Sequence, residues 1–269
     1  MLLKMYKYDM KNVSPALLII HGIMLVLGVA FIILNLAMNG KAGDDVSGAA
    51  GIASGLLIFF MILSMFLAVV MTHLMMIVRF YKRMFTGEGY LTNVLPLTAD
   101  EQMLSHLLAY VTWCVIDFLV FVLLGFIWMA ANGNLVEFFT ELSQGMDKAK
   151  ISPASIPVAI LMLLVIFAFT ATFTYFSTAI GSLSSSHKKL LTVIMYAVAV
   201  IISQIVTVIA VFLIGTKFIN AGVYMGYEPG TVSFPAVPGM LVFMAVLAAL
   251  GAAFYFTGRT IISRHLNLG

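Results

Sequence analysis

Six long apolar runs, separated by short polar segments, set the pattern of this sequence. They cover residues 15–38, 50–78, 107–131, 156–180, 190–215 and 237–257. Each run exceeds the roughly 18 residues that an α-helix needs to cross a bilayer core of about 30 Å. The runs are far longer than the ~10-residue alternating strands of an outer-membrane barrel. The pattern therefore predicts an all-α polytopic membrane protein, with residues 1–269 forming one domain that is a bundle of six transmembrane helices.

The composition fits that prediction and excludes a soluble globular protein. Hydrophobic residues make up 62% of the chain and charged residues 9%, and the mean hydropathy is +1.11, whereas soluble domains carry about 25% charged residues. The first apolar run is longer than the roughly 7–15 residues of a signal-peptide core, so we expect it to remain as a span. Cys114 is the single cysteine, so no intramolecular disulfide or multi-cysteine metal site can form.

The basic residues predict the orientation of the spans, because Lys and Arg in short loops stay on the cytoplasmic side. With the N-terminus inside, ten of the 14 Lys and Arg residues fall in cytoplasmic segments. These ten are Lys4, Lys7, Lys11, Arg79, Lys82, Arg83, Lys188, Lys189, Arg259 and Arg264. We therefore predict that both termini are cytoplasmic. The excess of positive charge then lies on the surface that faces anionic lipid, so the net charge of +3 does not indicate nucleic acid as a partner.

Three segments outside the spans show helical or interfacial patterns. Residues 1–14 predict an amphipathic helix in the cytoplasmic interface or, alternatively, a basic flank that only orients the first span. Its apolar positions are Leu3, Tyr6, Met10 and Val13, and its basic positions are Lys4, Lys7 and Lys11. A second amphipathic helix is predicted within residues 132–153. Residues 216–236 form an outer loop whose aromatic side chains suit the membrane interface or a segment that dips back into the protein.

Asp117 is the candidate for chemistry inside the membrane, because it lies near the middle of the third span. A carboxylate there costs at least ~2.5 kcal/mol, so it should be protonated, paired or turned toward a wet cavity. One interpretation is a proton relay or a substrate path shared with Thr174 and Gln204. The alternative is a neutral carboxyl that hydrogen-bonds to Gln204 or to the threonine stripe of span four. That stripe consists of Thr170, Thr174 and Thr178.

His21 and His73 lie in the inner third of spans one and two, at depths where the two rings can approach each other. Their spacing is not that of metal ligands, so we expect packing histidines and no metal site. The sequence contains no HExxH, no GxSxG and no glycine-rich nucleotide loop ending in Lys-Ser or Lys-Thr. We therefore expect no enzymatic site and no cofactor of its own, with any ATP bound by another chain.

Span six carries small residues four positions apart, at Ala245, Ala249 and Ala253. A stripe of small side chains lets helix backbones approach closely in lipid. The stripe therefore predicts helix packing within this chain or, alternatively, an interface with a second subunit.

The longest segment that cannot lie in lipid is RFYKRMFTGEGYLTNVLPLTADEQMLSHLL, residues 79–108. Its first part, RFYKRMF, continues span two past the bilayer with basic residues that meet lipid headgroups. Gly87 and Gly89 permit a turn, and EGYLTNVL forms about two apolar-faced helical turns before a proline. Thr98 and Glu101 form a capping box that starts an uninterrupted helix into span three. The segment is thus predicted to be a short helix held between two rigid helical extensions.

The stretch TGEGYLTNVLPLTADEQMLSHLL resembles the cytoplasmic loop between spans two and three in the six-span permease subunits of type-two ATP-binding-cassette exporters, in particular those of Gram-positive bacteria. In that family an acid-Gly-Tyr-Leu block, a short polar gap and Leu-Pro precede the helix into the third span. The tail RTIISRHLNLG is similar to the basic, Leu-Asn-Leu endings of these chains. The resemblance covers the whole chain in topology and these two stretches in motif, and Asp117 matches no motif of the family.

The resemblance implies a permease in the bacterial cell (inner) membrane that moves an amphipathic or hydrophobic substrate, such as a peptide, an antimicrobial or a lipid. Residues 79–105 would be the cytoplasmic coupling loop, 1–14 the interfacial connecting helix and 216–236 the partly re-entrant outer segment. ATP and magnesium would bind a separate ATPase subunit, and a second permease copy or a homologous permease would complete a dimer. The residues implied to contact the ATPase are Glu88, Gly89, Tyr90, Leu91, Val94 and Leu95.

The residues alone leave two other functions open. With Asp117 as a proton relay, the chain would be a proton-coupled secondary transporter. As a non-transporting immunity protein, it would bind and sequester an antimicrobial peptide or a lipid without any ATPase partner.

Overall fold

The computed structural model describes residues 1–39, 49–86, 98–131, 133–148, 155–184, 186–224 and 236–264, and every regular element within these ranges is an α-helix. The helices are α1 (Leu2–Asn39), α2 (Ala49–Phe85), α3 (Ala99–Ala131), α4 (Leu135–Lys148), α5 (Ser155–Ser182), α6 (Lys188–Tyr224) and α7 (Ala236–Arg264). Six of them are long and apolar enough to cross a membrane, and α4 is the exception. The prediction of an all-helical membrane protein with six spans is confirmed to this extent.

The first helix runs without a break through Pro15, so residues 1–14 are helical but are not a separate element. Proline has no N–H to donate to the carbonyl four residues earlier, which here belongs to Lys11. The Ser14 hydroxyl donates to that carbonyl at 3.2 Å and so replaces the lost bond. With 38 residues, α1 is about 57 Å long, which is more than a bilayer core of about 30 Å requires.

The buried face of the first turns of α1 differs from the predicted one. Leu3, predicted on the apolar face, is 75% exposed. Val13 is buried as predicted, but the positions buried with it are Met5 and Asp9, and the three lie four residues apart and therefore share one face of the helix. The lysines predicted to face away are exposed, and they are Lys4, Lys7 and Lys11. An aspartate thus occupies the centre of the packed face.

Both helical extensions predicted around the polar segment are confirmed. α2 continues to Phe85, beyond its apolar run, and α3 begins at Ala99 and continues into the span without interruption. The predicted capping box is present, because the Glu101 N–H donates to Thr98 Oγ1 at 3.1 Å and the Thr98 N–H donates to Glu101 Oε2 at 3.1 Å. Residues 87–97, which hold the predicted coupling helix, lie outside the described residues.

The amphipathic helix predicted after span three is confirmed as α4. Gly133 allows the chain to turn between α3 and α4, because its φ of 73° lies in the left-handed region that glycine adopts readily. Phe139 of α4 stacks on Phe126 of α3 with ring centroids 6.1 Å apart. Most other side chains of α4 are exposed, as expected of a helix at a membrane interface.

The outer segment predicted at residues 216–236 is helical in its first part, because α6 continues to Tyr224. Residues 225–235 lie outside the described residues. The prediction that this segment lies at the interface or dips back into the protein therefore stays a prediction.

The spanning helices pack as two groups, α1–α3 and α5–α7. α5 and α7 make the most extensive contact. Their backbones come close at Gly258 of α7, where an added Cβ would lie 3.5 Å from the backbone of Phe176 in α5. α3 and α5 make the largest contact between the two groups, and Phe80 of α2 stacks on Tyr175 of α5 at 4.2 Å between ring centroids. The described backbone of α6 lies against α5 and α7 and has no close contact with α1, α2 or α3.

The small-residue stripe of span six lies on the outside of α7. Ala245, Ala249 and Ala253 are all exposed, so the prediction that they pack against a helix of the same chain is wrong. The side of α7 that meets α5 carries Gly251 and Gly258 instead. Small residues do permit the close helix approach, but they do so on a different face of the helix.

Candidate functional site

The start of α1, the end of α2 and the start of α3 meet at one end of the bundle, which we call the basic end. Asp9 of α1 is fully buried there. Arg83 of α2 donates from Nη1 to Asp9 Oδ1, and Arg79 Nε lies 3.6 Å from the same oxygen. His106 of α3 places Nδ1 3.1 Å from Asp9 Oδ2. These four residues, the Asp9 cluster, bring three helices together around one carboxylate.

The surroundings of the two arginines explain why this carboxylate can be buried. Arg79 and Arg83 are one turn apart on α2, so both face α1, and both guanidinium groups lie near the ring of Tyr8, at 5.3 and 5.6 Å from its centroid. In the amide orientation that satisfies both groups, the Asn12 side-chain oxygen accepts from both terminal nitrogens of Arg79 at 3.0 Å. Buried ion pairs persist only with such additional hydrogen bonds and packing. The Asp9 cluster is therefore a fixed joint between the helices.

The first turn of α3 is also held by α7. Arg259 Nε lies 2.6 Å from Asp100 Oδ1, and the Tyr255 hydroxyl donates to the same oxygen at 3.0 Å. These groups are partly exposed, so each contact stabilises the protein less than a buried one. Together with the Asp9 cluster they fix the two helix ends between which residues 87–97 run.

The structure thus describes the helix ends that flank the predicted ATPase contact, but not the contact itself. The residues that lie outside the described range are Glu88, Gly89, Tyr90, Leu91, Val94 and Leu95. The Asp9 cluster was not predicted, since Asp9 and Arg83 are 74 positions apart in the chain. The available signal was a single acid among lysines before span one, combined with Arg79 and Arg83 one turn apart at the end of span two.

Asp117 is buried inside the bundle, with 4% of its surface exposed. His21 Nε2 of α1 lies 2.6 Å from Asp117 Oδ1, and the Thr72 hydroxyl of α2 donates to the same oxygen at 3.2 Å. The prediction that Asp117 is protonated, paired or beside a cavity is met by the pairing. The partner on α1 was not predicted.

The hydrogen bonds of His21 fix how many protons the pair holds. His21 Nδ1 lies 2.7 Å from the Leu17 carbonyl, and a carbonyl only accepts, so Nδ1 carries a proton. The bond from Nε2 to Asp117 needs one further proton, which belongs either to an imidazolium beside a carboxylate or to a carboxylic acid beside a neutral imidazole. Both arrangements have zero net charge, which is what a site inside a membrane requires.

The partners predicted for Asp117 make other contacts. Thr174 and Thr178 donate to carbonyls of their own helix, at 2.7 and 2.9 Å. Gln204 is exposed on the outside of α6. The prediction that these residues bind the Asp117 carboxyl is therefore wrong. The two histidines also have separate partners, since His73 lies beside two tyrosines.

His73 of α2 connects the two groups of helices. Its Nδ1 lies 2.5 Å from the Tyr110 hydroxyl of α3, and its Nε2 lies 2.8 Å from the Tyr196 hydroxyl of α6. A neutral imidazole has one donor and one acceptor nitrogen, and a tyrosine hydroxyl can take either role. The chain of three side chains is therefore satisfied without a charge, and it crosses the space between α2 and α6.

A cavity of about 670 Å³ occupies that space, lined by α2, α3, α5 and α6. It brings together two of the three residues predicted for a translocation path, because Asp117 and Thr174 both line it and Gln204 does not. His73, Tyr110 and Tyr196 line it as well. Among the residues that the structure describes, no group of three or more His, Cys, Asp or Glu side chains is arranged to hold a metal ion.

Comparison with protein-family models, with curated proteins and with solved structures finds no match to this chain.

Proposed function

We propose that this chain is the permease subunit of an ATP-binding-cassette exporter and that residues 87–97 dock on a separate ATPase subunit. The observation that carries the proposal is the bracing of both helix ends that flank this segment. α2 is joined to α1 by the ion pair of Arg83 with Asp9, His106 of α3 lies against the same carboxylate, and α3 is joined to α7 through Asp100. A partner that pushes on residues 87–97 moves several spans at once, because the flanking helix ends contact other spans. A loop that only lies among lipid headgroups needs no such contacts.

The orientation of the chain supports the same function. The basic end carries most of the Lys and Arg residues, and such ends stay on the cytoplasmic side of a membrane. Both termini and residues 87–97 are then cytoplasmic, where an ATPase has access to ATP and magnesium. The acid-Gly-Tyr-Leu block and the Leu-Pro pair follow α2 directly, as in the family that the loop resembles.

The cavity and the outer face of α7 fit the remaining parts of the proposal. A largely apolar cavity with a few polar side chains is the usual form of a small-molecule site, and here it lies within the spanning helices, where an amphipathic or hydrophobic cargo can enter. A second permease copy or a homologous permease would complete the transporter. The exposed alanine stripe of α7 at Ala245, Ala249 and Ala253 is suited to that helix contact.

Purification of the native complex tests the proposal. The tagged chain is extracted in mild detergent from cells that produce it naturally, and we expect an ATP-binding chain to purify with it at a near one-to-one ratio. The complex should hydrolyse ATP, whereas the chain expressed alone should not. Recovery of the chain without any ATP-binding subunit, under conditions that preserve its own fold, would overturn the proposal.

The contact between His21 and Asp117 favours a second candidate, a secondary transporter driven by protons. The pair can exchange a proton within one hydrogen bond, and Asp117 lines the cavity. Transport by the chain alone in vesicles, driven by a proton gradient without ATP and abolished in Asp117→Asn, would establish this candidate in place of the first. Transport that requires the ATPase and persists in Asp117→Asn would exclude it.

A further inference from the structure

The cavity between α2 and α6 has its longest wall on α5. On α5 its wall extends from Ile166 to Thr178, and twelve residues of helix correspond to about 18 Å. One leaflet of a bilayer core is about 15 Å deep, half of the total of about 30 Å. The α5 wall is therefore long enough to lie along the acyl chain of one leaflet, and the volume of the cavity is about 670 Å³.

The polar side chains in the wall already have partners within the protein. Each of four lining threonine hydroxyls donates to a carbonyl of its own helix, namely Thr170, Thr174, Thr178 and Thr192. Both ring nitrogens of His73 are bonded to tyrosines, and Asp117 is bonded to His21. These bonds leave no free donor on the threonines, and they leave one free proton on the two tyrosine hydroxyls, because a neutral His73 donates to one hydroxyl and accepts from the other. The wall therefore favours an apolar ligand, since a ligand with many polar atoms would lose its hydrogen bonds to water without replacement.

The cavity opens sideways toward the membrane. The described backbones of α2 and α6 do not contact each other, and the lining residues at this gap are exposed on the outside of the bundle. They are Val69, Leu74 and Val193, of which Val193 is 66% exposed. A ligand can thus enter from the hydrocarbon of the bilayer without passing through water.

We infer that the cavity between α2 and α6 binds one acyl chain of a membrane phospholipid, which enters sideways through the gap between these two helices. The length of the cavity's α5 wall, its largely satisfied polar groups and its lateral opening all select an unbranched alkyl chain over a polar solute. The inference names an occupant for the cavity that the proposed function leaves open to an amphipathic or hydrophobic cargo, and it can be tested apart from that function because the site is complete in this chain without an ATPase.

Photolabelling in nanodiscs tests the inference. The purified chain is reconstituted in phosphatidylglycerol that contains a small fraction of the same lipid with a diazirine on its acyl chain, and the labelled residues are located by mass spectrometry. We expect labelling at Val70 and Ile166, inside the cavity, to saturate as the fraction of photolipid rises. Labelling at Val26, which is on the lipid-facing surface of α1, should increase in proportion to that fraction.

Two matched variants distinguish lipid binding in the cavity from contact with bulk lipid. Val70→Trp places a large side chain in the cavity and should reduce the labelling of Ile166 severalfold, whereas Val26→Trp makes the same replacement on the outer surface and should leave it unchanged. Linear labelling at every position, or an equal effect of the two variants, would overturn the inference. The saturation measurement needs no variant, so it decides the matter even where Val70→Trp fails to fold. The experiment uses neither ATP nor an ATPase, so its failure would leave the proposed function untouched.

Discussion

His21 Nε2 lies 2.6 Å from Asp117 Oδ1, in a hydrogen bond that joins α1 to α3 inside the bundle. Both side chains are buried, and Thr72 brings α2 into the same contact. The pair has no net charge with the proton on either partner, so it avoids the cost of an isolated charge in the membrane. When either residue is removed, the other is left buried without the hydrogen-bond partner that keeps the pair free of net charge.

We therefore expect His21→Leu to destabilise the protein more than the double variant His21→Leu/Asp117→Leu. Breaking a buried pair costs about 3–5 kcal/mol, whereas replacing both partners by apolar residues is often neutral or stabilising. The free energy of unfolding in detergent micelles, measured for the wild type, both single variants and the double variant, gives the coupling between the two residues. Losses that simply add in the double variant would show that the two side chains do not form a pair.

The Asp9 cluster predicts that two aspartates at the basic end contribute unequally to the free energy of unfolding. Asp9→Asn removes the only carboxylate of the cluster and leaves the buried Arg79 and Arg83 without their anion, so we expect a loss of about 3–5 kcal/mol in the free energy of unfolding. Asp100→Asn makes the same chemical change in the partly exposed pair with Arg259 and should cost about 1 kcal/mol or less. The same unfolding measurement checks both variants, and equal losses would contradict the assigned burial.

The sequence was sufficient for the parts of the fold that depend on run length or local hydrogen bonds. Six apolar runs predicted six spanning helices, and the capping box of Thr98 and Glu101 was predicted because both partners lie within one turn. The extension of α2 and the amphipathic α4 follow from local patterns in the same way. By contrast, the continuity of α1 through Pro15 depends on the Ser14 hydroxyl, a compensation that the helix-breaking rule for proline leaves out.

The rotation of each spanning helix could not be predicted, and this accounts for the errors at the site. In lipid the outer face of a helix is as apolar as its packed face, so periodicity does not show which side faces inward. One interpretation therefore gave Asp117 partners on spans four and five instead of His21, and one of the two interpretations of the alanine stripe placed Ala253 on a face packed within this chain.

Replacing two glycines by alanine should change the stability of the protein in opposite directions, because one of them lies where α5 and α6 approach closely and the other does not. A Cβ on Gly181 would lie 2.7 Å from the Cα of Thr192, so Gly181→Ala must separate the two helices and should lower the melting temperature. Gly125 in α3 has no atom within 4 Å of an added Cβ, so Gly125→Ala should raise it slightly, since alanine is favoured over glycine in a helix by about 1 kcal/mol. Thermal unfolding of the purified variants gives the two signs, and an unchanged or raised melting temperature in Gly181→Ala would refute the close contact of α5 and α6.

The hydrogen bond from His73 to Tyr196 predicts how firmly α6 is held across the cavity. The backbone of α6 lies against α5 and α7 alone among the described helices, so Tyr196→Phe removes a polar link to the other group. We expect the distribution of distances between spin labels at positions 74 and 193, introduced in a Cys114→Ser background, to broaden in this variant. Tyr110→Phe is the matched control, because α3 remains packed on α1, α2 and α5. Broadening in both variants, or in neither, would show that Tyr196 does not fix the distance between α2 and α6.

The proposed ATPase contact predicts a loss of assembly without a loss of folding. Glu88→Ala/Tyr90→Ala truncates two side chains of the acid-Gly-Tyr-Leu block, and truncation at the centre of an interface typically costs enough binding energy to lower affinity by about tenfold or more. The amount of ATPase that purifies with the chain should fall accordingly, while membrane insertion and the melting temperature stay at wild-type values. Glu137→Ala/Thr140→Ala on the exposed α4, at the opposite end of the bundle, is the control and should not change ATPase recovery. Unchanged recovery in the Glu88→Ala/Tyr90→Ala variant would place the docking surface elsewhere on the basic end.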